Sequence, residues 1–227
     1  MHIEPGIVVG AKLALSYATA AGAATYSIKL VAETLRTNGV VRFAVQSLIA
    51  VASVFVFFEV FPKHSIGVSE VHFVLGSTLF LILGAAPAAV GLATGLLLQG
   101  MMFAPTDLPQ YFMNITTLLL PLFAVAALAK RIIAPNMAYV DLTYRQALVL
   151  STTYQGGVVA WVAFWAFYGQ GFGAENLVAV AAFGASYMIV LVIEPVADLA
   201  ILAGAKAFRH LEGTGLVTDR VYQPSDA

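Results

Sequence analysis

Hydrophobic runs long enough to cross a bilayer follow one another along almost the whole chain, with short polar stretches between them. A membrane-spanning helix needs about 20 mostly apolar residues. Windows of this length predict seven helices, near residues 7–31, 39–61, 70–83, 87–103, 112–134, 145–168 and 176–208. The pattern therefore predicts an all-α, polytopic membrane protein with about seven transmembrane helices.

The third and fourth predicted helices are separated by a break that contains proline. Residues 74–103 carry no charged side chain, yet a continuous helix of that length would exceed a hydrocarbon core of about 30 Å. The stretch Gly84-Ala85-Ala86-Pro87 offers an interruption, because proline cannot donate a backbone hydrogen bond and disfavours helix in the residue before it. We therefore predict two shorter helices joined by a very tight turn.

Composition places nearly the whole chain in the membrane. Of 227 residues, 60% are hydrophobic and 10% are charged, and the mean hydropathy is +0.89, whereas soluble domains carry about 25% charged residues. We predict one transmembrane helical domain over residues 1–208 and a short cytoplasmic tail over residues 209–227. The net charge of −1 argues against nucleic acid as a partner. The absence of cysteine excludes thiolate ligands, disulfides and cysteine nucleophiles.

The basic residues predict an orientation, because short cytoplasmic loops collect Lys and Arg. Most of them lie beside alternate loops or in the tail: Lys29, Arg36, Arg42, Lys130, Arg131, Arg145, Lys206, Arg209 and Arg220. Of the others, Lys63 lies in an opposite loop, and Lys12 lies near the outer end of the first helix, where it can snorkel to the headgroups. We predict that the N-terminus is outside and folded into the helix bundle, and that the C-terminus is cytoplasmic.

Three of the four histidines lie on the predicted outer side: His2, His64 and His72. We expect His64, beside Lys63 in a loop, and His210, in the tail, to be exposed. His72 differs, because it stands at the start of the long uncharged stretch, where an ionisable side chain is a candidate functional group. The alternative for His72 is an interfacial histidine that caps or hydrogen-bonds a helix end.

His2 favours the functional interpretation of His72. The α-amine of Met1, the deprotonated amide nitrogen of His2 and its Nδ1 atom can close fused chelate rings around one cation. The imidazole of His72 would complete a square-planar set of nitrogens, a geometry typical of Ni(II) or Cu(II) and accessible to low-spin Co(II). We expect Met1 to be retained, since no cleavable signal precedes the first hydrophobic stretch. Such a site requires the first residues to fold back between helices, and Pro5-Gly6 offers a turn for this.

Two acidic residues lie within the last predicted helix. Glu194 and Asp198 are four residues apart and therefore share one helix face. They are candidates for an inward exit route for a cation or for a contact with a partner subunit. The alternative is a pair of internally bound carboxylates near a kink at Pro195, neutralised by Lys206 or by protonation.

The motifs along the chain resemble those of the CbiM/NikM family, the cobalt- and nickel-specific substrate-binding membrane subunits of energy-coupling factor (ECF) transporters. The resemblance extends from Met1 to about Leu202. Its carriers are Met-His-Ile with an acidic residue and Gly6 close behind, GVSEVHFVLG around His72, LLLQGMMF with Gln99, and TDLPQYFMN with Asn114.

The resemblance implies a metal held by the Met1 amine, the backbone and side chain of His2, and His72, with Asn114 near the outer loop that covers the ion. It implies the substrate-capture subunit of an ATP-driven importer, with Co(II) or Ni(II) as transported substrate and no organic cofactor. Partners would be a transmembrane coupling subunit and ATP-binding-cassette ATPases, with a small accessory membrane subunit as a further candidate. The chain has no P-loop motif, so we expect partner subunits to hydrolyse ATP. It shows no nucleophile–base pair and no open-site metal motif, so we expect it not to be an enzyme. The implied setting is the lipid of the bacterial inner membrane, and the implied role is cobalt or nickel supply, including cobalt for cobalamin biosynthesis.

Three departures from the family pattern leave the choice of ion open. Pro5 separates Glu4 from Gly6, Phe112-Met113 replaces Gly-Ala ahead of Asn114, and Thr117 stands where a second asparagine is frequent. These changes leave the proposed ligands in place but alter the groups around them, on which metal preference depends. Two other functions stay open: a non-transport membrane scaffold or accessory subunit, and import of an organic ligand.

Overall fold

The computed structural model describes residues 3–61 and 63–224. This part of the chain forms seven α-helices and one two-stranded antiparallel sheet. The helices are α1 (Leu13–Asn38), α2 (Val40–Glu59), α3 (Gly76–Leu83), α4 (Ala85–Met102), α5 (Tyr111–Ile132), α6 (Tyr144–Gln170) and α7 (Ala174–Ala207), and the strands are β1 (His64–Ile66) and β2 (Ser69–Val71). The predicted all-α bundle is confirmed, with one small hairpin added to it.

Five segments of the described chain are long and apolar enough to cross a membrane: Val40–Glu59, Ala85–Met102, Pro105–Ile132, Tyr144–Gln170 and Ala174–Ala207. Helices α1 and α3 are not among them. Alanines, hydroxyl side chains and Lys29 keep the hydropathy of α1 low, and α3 has only 8 residues, a length of about 12 Å. The orientation of the helices stays a prediction.

The predicted third helix, residues 70–83, is wrong in its N-terminal half. Glu70 and Val71 belong to β2, and α3 begins only at Gly76. Leu75 has a φ of 50°, in the left-handed region that cannot continue an α-helix. Glu70 pairs with Ser65 of β1, so this stretch makes its backbone hydrogen bonds across a hairpin.

Single glycines separate two pairs of helices. Gly39, with a φ of 79°, lies between α1 and α2, and Gly84, with a φ of 91°, lies between α3 and α4. Pro87 lies in the first turn of α4, where no backbone donor is needed. The predicted tight turn between the third and fourth helices is therefore confirmed.

Small residues let the central helices approach closely. A Cβ atom at Gly91 of α4 would lie 2.3 Å from the Cβ atom of Ala50 on α2, which shows how near the two backbones are. On the other side of the bundle, α6 and α7 contribute large, fully buried aromatic side chains to the core: Tyr154, Trp165, Phe183 and Tyr187. The hairpin lies against one of these helices, α7, where a Cβ atom at Gly67 would meet the backbone of Ala179.

The C-terminal segment packs onto one end of the bundle. Both Nη atoms of Arg42 donate to the Asp219 carboxylate at 2.7 Å, and Arg220 donates to the carbonyl oxygens of Ala134 and Pro135. Val221 is fully buried, and the Tyr222 hydroxyl donates to the carbonyl oxygen of Ala205 at 2.7 Å. The segment predicted as a separate tail therefore lies against the helical domain, at least through residue 222.

We expect Gly76→Ala to destabilise the fold, because a Cβ atom there would lie 2.0 Å from Cζ of Tyr154. Tyr154 is fully buried, and overpacking of this kind costs about 1–3 kcal/mol. Thermal unfolding of the purified protein in detergent would measure the change.

Gly156→Ala is the matched control, since nothing lies within 4 Å of a Cβ atom placed there. Alanine should leave the stability unchanged or raise it by up to about 1 kcal/mol, because alanine favours helix over glycine. Equal unfolding temperatures for Gly76→Ala and the wild-type protein would contradict the packing of α3 against α6.

Candidate metal site

The first described residues are buried between the hairpin and the helices. Ile3 is 1% exposed, and its N–H donates to Oδ1 of Asn114 on α5 at 2.9 Å. Ile3 also forms an antiparallel bridge with Ser69 of β2, and the Glu4 N–H donates to the carbonyl oxygen of Val68 at 3.2 Å. The backbone that directly follows Met1 and His2 is thus fixed in position.

A turn at Pro5-Gly6 reverses the direction of the chain after Ile3 and Glu4. The Ile7 N–H donates to the Glu4 carbonyl oxygen at 3.2 Å, and Gly6 has a φ of 92°. Proline at the second position and a residue of positive φ at the third are typical of a type II turn. The predicted turn is confirmed, and it folds residues 3 and 4 back against the hairpin.

His72 lies one residue beyond β2 and is 1% exposed. Its Nε2 atom is 2.8 Å from Oε2 of Glu70, and its ring meets that of Phe58 edge-on, with 5.4 Å between centroids. The Tyr187 hydroxyl donates to the His72 carbonyl oxygen at 3.5 Å. The imidazole is therefore held from several sides, while His64 and His210 are exposed as predicted.

The sequence interpretation missed Glu70 because it assigned that residue to a helix. Residues two apart in a strand point to the same side, so the motif Glu70-Val71-His72 places the carboxylate beside the imidazole. The alternation in SEVHF was the signal for this arrangement.

Glu194 holds the backbone at the start of α3. It is fully buried, and its Oε1 atom accepts the Leu75 N–H at 2.7 Å. Its Oε2 atom accepts the Ser151 hydroxyl at 3.2 Å and the side-chain amide of Gln155. This carboxylate thus joins α6 and α7 to the turn three residues after His72.

Asp198 binds the first turn of α3 in the same way. Its Oδ2 atom accepts the Ser77 hydroxyl at 2.7 Å, and its Oδ1 atom accepts the Thr78 hydroxyl. Lys206 does not neutralise either acid, because its Nζ atom lies 2.9 Å from Asp141. Both acids are bound inside the bundle in this conformation, and a role in metal exit stays a prediction.

A polar cavity of about 390 Å³ opens beside the N-terminal segment. Its lining includes Glu4, Glu70, Asp107 and Lys63, with Phe103 at one side. Lys63 is 3.3 Å from the Glu59 carboxylate. The cavity therefore carries mainly negative charge, and one of its carboxylates, that of Glu70, also contacts His72.

Within residues 3–61 and 63–224, no three His, Cys, Asp or Glu side chains are arranged to hold a metal ion. The other predicted ligands, Met1 and His2, lie outside the described residues. Two of the predicted site residues are linked to the N-terminal segment. Asn114 accepts a hydrogen bond from Ile3, and His72 follows the strand β2, whose Ser69 pairs with Ile3.

Together these features define a polytopic helical membrane protein with its N-terminal segment buried near an enclosed histidine. A family described as the cobalt uptake substrate-specific transmembrane region, CbiM, matches residues 2–211, and the chain belongs to this family. It is a multi-pass protein of the plasma membrane and a transport component for cobalt uptake, not an enzyme, and it works with other transporter subunits. No curated protein and no solved structure matches the chain at a significant level.

We expect Glu194→Ala to destabilise the protein by roughly 2–4 kcal/mol, because it leaves the buried Leu75 N–H and the Gln155 amide without their acceptor. Glu194→Gln keeps one acceptor oxygen and should cost less. Thermal unfolding in detergent would rank the two variants.

Glu175→Ala is the control, since Glu175 lies on the same helix but is exposed. Its unfolding temperature should match that of the wild-type protein. A Glu194→Ala variant as stable as this control would show that the carboxylate does not hold the start of α3.

Proposed function

We propose that this chain captures Co(II) or Ni(II) for an ATP-driven ECF importer and holds the ion with the N-terminal Met-His chelate and His72. The ligands would be the Met1 amine, the amide and imidazole nitrogens of His2, and the His72 imidazole. The observation that carries the proposal is the burial of Ile3, whose N–H binds Asn114 and whose backbone pairs with Ser69.

The pairing of Ile3 with Ser69 supports the approach of the chelate to His72. In an antiparallel pair, residues that precede one partner lie beside residues that follow the other. The described end of the N-terminal segment therefore lies beside β2, the strand that leads directly to His72.

Immobilisation of the terminus is what makes this chelate effective. A frayed terminus would lose conformational entropy on closing around a cation, and a terminus held beforehand loses less. The hydrogen bond from Ile3 to Asn114 and the turn at Pro5-Gly6 supply this restraint.

Glu70 supports the role of His72 as a ligand. Metal-binding histidines commonly bind a carboxylate through their other ring nitrogen, which fixes the ring and raises its basicity. The 2.8 Å contact between Glu70 and His72 has this form. The carboxylate also offsets part of the charge of a divalent ion inside the bundle.

The acidic cavity beside the N-terminal segment supports entry of a cation. Carboxylates of Glu4, Glu70 and Asp107 line it, and a mouth lined mainly by one sign of charge concentrates ions of the opposite sign. We propose that the ion passes through this cavity on its way to the chelate.

The partners would be a transmembrane coupling subunit, a pair of ATP-binding-cassette ATPases and a small accessory membrane subunit. The support is the description of the family as the substrate-specific part of an uptake system, since such a part works with subunits that supply energy. Nickel as well as cobalt suits the proposed nitrogen set, because both ions accept imidazole and amine nitrogens.

His2→Ala, His72→Ala and a single extra glycine before Met1 should each lower Co(II) affinity by more than about 100-fold, because changes to supporting groups alone cost about 10- to 100-fold. The protein must be purified with a free α-amine on Met1. Metal content by mass spectrometry and a Co(II) titration would measure the effect.

His64→Ala is the control, since His64 is exposed at the start of β1, and it should bind as the wild-type protein does. Full Co(II) binding by the extended or His2 variant would sink the chelate and indicate a different Co(II) site. A wild-type protein that binds no Co(II) would favour a membrane scaffold that has kept the family fold.

Asn114→Ala should weaken Co(II) binding by roughly 10- to 100-fold, because the buried Ile3 N–H would lose its acceptor, at a cost of about 1–3 kcal/mol. Asn114→Asp keeps an acceptor oxygen at the same place and should restore most of the affinity. If Asn114→Ala bound Co(II) with unchanged affinity, the bond to Ile3 would not be what holds the terminus in place.

A further inference from the structure

We propose that a cavity between the ends of α1 and α5 binds the phosphate headgroup of an anionic phospholipid. The cavity, of about 780 Å³, is lined by Lys130, Arg131, Arg220 and apolar side chains that include Tyr26, Phe80 and Ile133. We call it the basic cavity. The proposal does not rest on the metal site, which lies at the other end of α5, where Asn114 binds Ile3.

The charge of the basic cavity is not balanced by the described part of the protein. No Asp or Glu is among the described residues that line it, and Lys130 and Arg131 form no salt bridge with a carboxylate in residues 3–61 and 63–224. Arg42 and Lys206, by contrast, are bound to Asp219 and Asp141. The basic cavity thus has room and charge for an anion from outside the chain.

Arg220 is held in place at the wall of the basic cavity. Its Nη atoms donate to the carbonyl oxygens of Ala134 and Pro135 at 2.8 and 3.0 Å, and its guanidinium lies 5.6 Å from the centre of the Tyr139 ring. Burial raises the pKa of Tyr139, although Arg220 opposes the shift. The Tyr139 hydroxyl therefore stays protonated at neutral pH and can donate to a phosphate.

The position of the basic cavity favours a lipid over a soluble anion. Lys130 and Arg131 are the last basic residues of the membrane-spanning segment Pro105–Ile132, and such residues lie at the level of the headgroups. The walls are largely apolar, with Leu30, Phe80 and Ala126 among them. A phosphate there brings glycerol and the upper acyl chains with it, and these fit the apolar walls.

Lipid binding here would join elements that are far apart in the sequence. The lining comes from α1, α3, α4, α5 and the C-terminal segment. Arg220 lies beyond residue 211, where the family match ends, so this chain's own C-terminal segment completes the basic cavity. An anionic lipid should therefore stabilise the fold.

The test uses the full-length protein in detergent with added phosphatidylglycerol or phosphatidylcholine, followed by native mass spectrometry and thermal unfolding. We expect phosphatidylglycerol to remain bound and to raise the unfolding temperature, and phosphatidylcholine to do neither. The double variant Lys130→Gln with Arg131→Gln should bind phosphatidylglycerol roughly 30-fold more weakly. Each basic residue near a lipid surface strengthens binding by roughly fivefold, and the variant removes two of them.

The control removes two exposed basic residues elsewhere, Lys29→Gln with Arg145→Gln, and should keep wild-type lipid binding. Unchanged Co(II) binding by both double variants would show that they are folded. An equal loss in the control would mean general charge attraction and would overturn the proposal.

Two other outcomes would also overturn it. Inorganic phosphate that stabilises the protein as well as phosphatidylglycerol does would indicate a soluble anion. A wild-type protein that binds no phosphatidylglycerol, but whose binding to the coupling subunit depends on Lys130 and Arg131, would indicate an acidic segment of that subunit.

Discussion

Non-helical backbone inside a helical membrane bundle must find its hydrogen-bond partners within the protein, because lipid offers none. This chain inserts two such segments among its helices, the N-terminal residues from Ile3 and the stretch from Val68 to Leu75. They satisfy one another in part, through the bonds of Ile3 and Glu4 to the hairpin. Two side chains satisfy further backbone groups, Asn114 for Ile3 and Glu194 for Leu75. The position of His72 depends on both.

Five of the helical segments could be predicted from hydropathy because they are long and apolar. The breaks at Gly84 and at Pro5-Gly6 could be predicted because proline and glycine have distinctive backbone conformations. The hairpin could not be predicted in this way. Strand β2 runs directly into the short apolar stretch VHFVLG, which suits a buried strand and a helix equally well. Only the pairing of Ser69–Val71 with β1 and Ile3 decides between them. Because residues 70–75 were predicted as helix, the contact between Glu70 and His72 was not predicted, although a strand places these two side chains on the same side.

The role of Glu194 also lay beyond the sequence. Its spacing from Asp198 placed both acids on one helix face, but the partners, Leu75 and Ser77, are more than a hundred residues away. Such bonds follow from how the helices cross, which hydropathy does not determine. The candidate ligands were easier to predict, because the chelating properties of a terminal amine followed by histidine are local, whereas the burial of Ile3 that supports them is tertiary.

Glycine makes room where the inserted segments meet the helices. A Cβ atom at Gly67 would lie 2.1 Å from the Ala179 carbonyl oxygen, and one at Gly169 would lie 2.0 Å from the Ile7 carbonyl oxygen. The first contact seats the hairpin on α7, and the second seats the N-terminal segment on the end of α6. Lys12 adds to the second, because its Nζ atom donates to the Gly169 carbonyl oxygen at 2.8 Å. Residues 3–12 are thus held at both ends, by Asn114 and by the end of α6, and their only helical structure is one 3₁₀ turn over Gly10–Lys12. Because chain termini are normally frayed, this restraint on the residues that follow Met1 and His2 is what supports the proposed chelate.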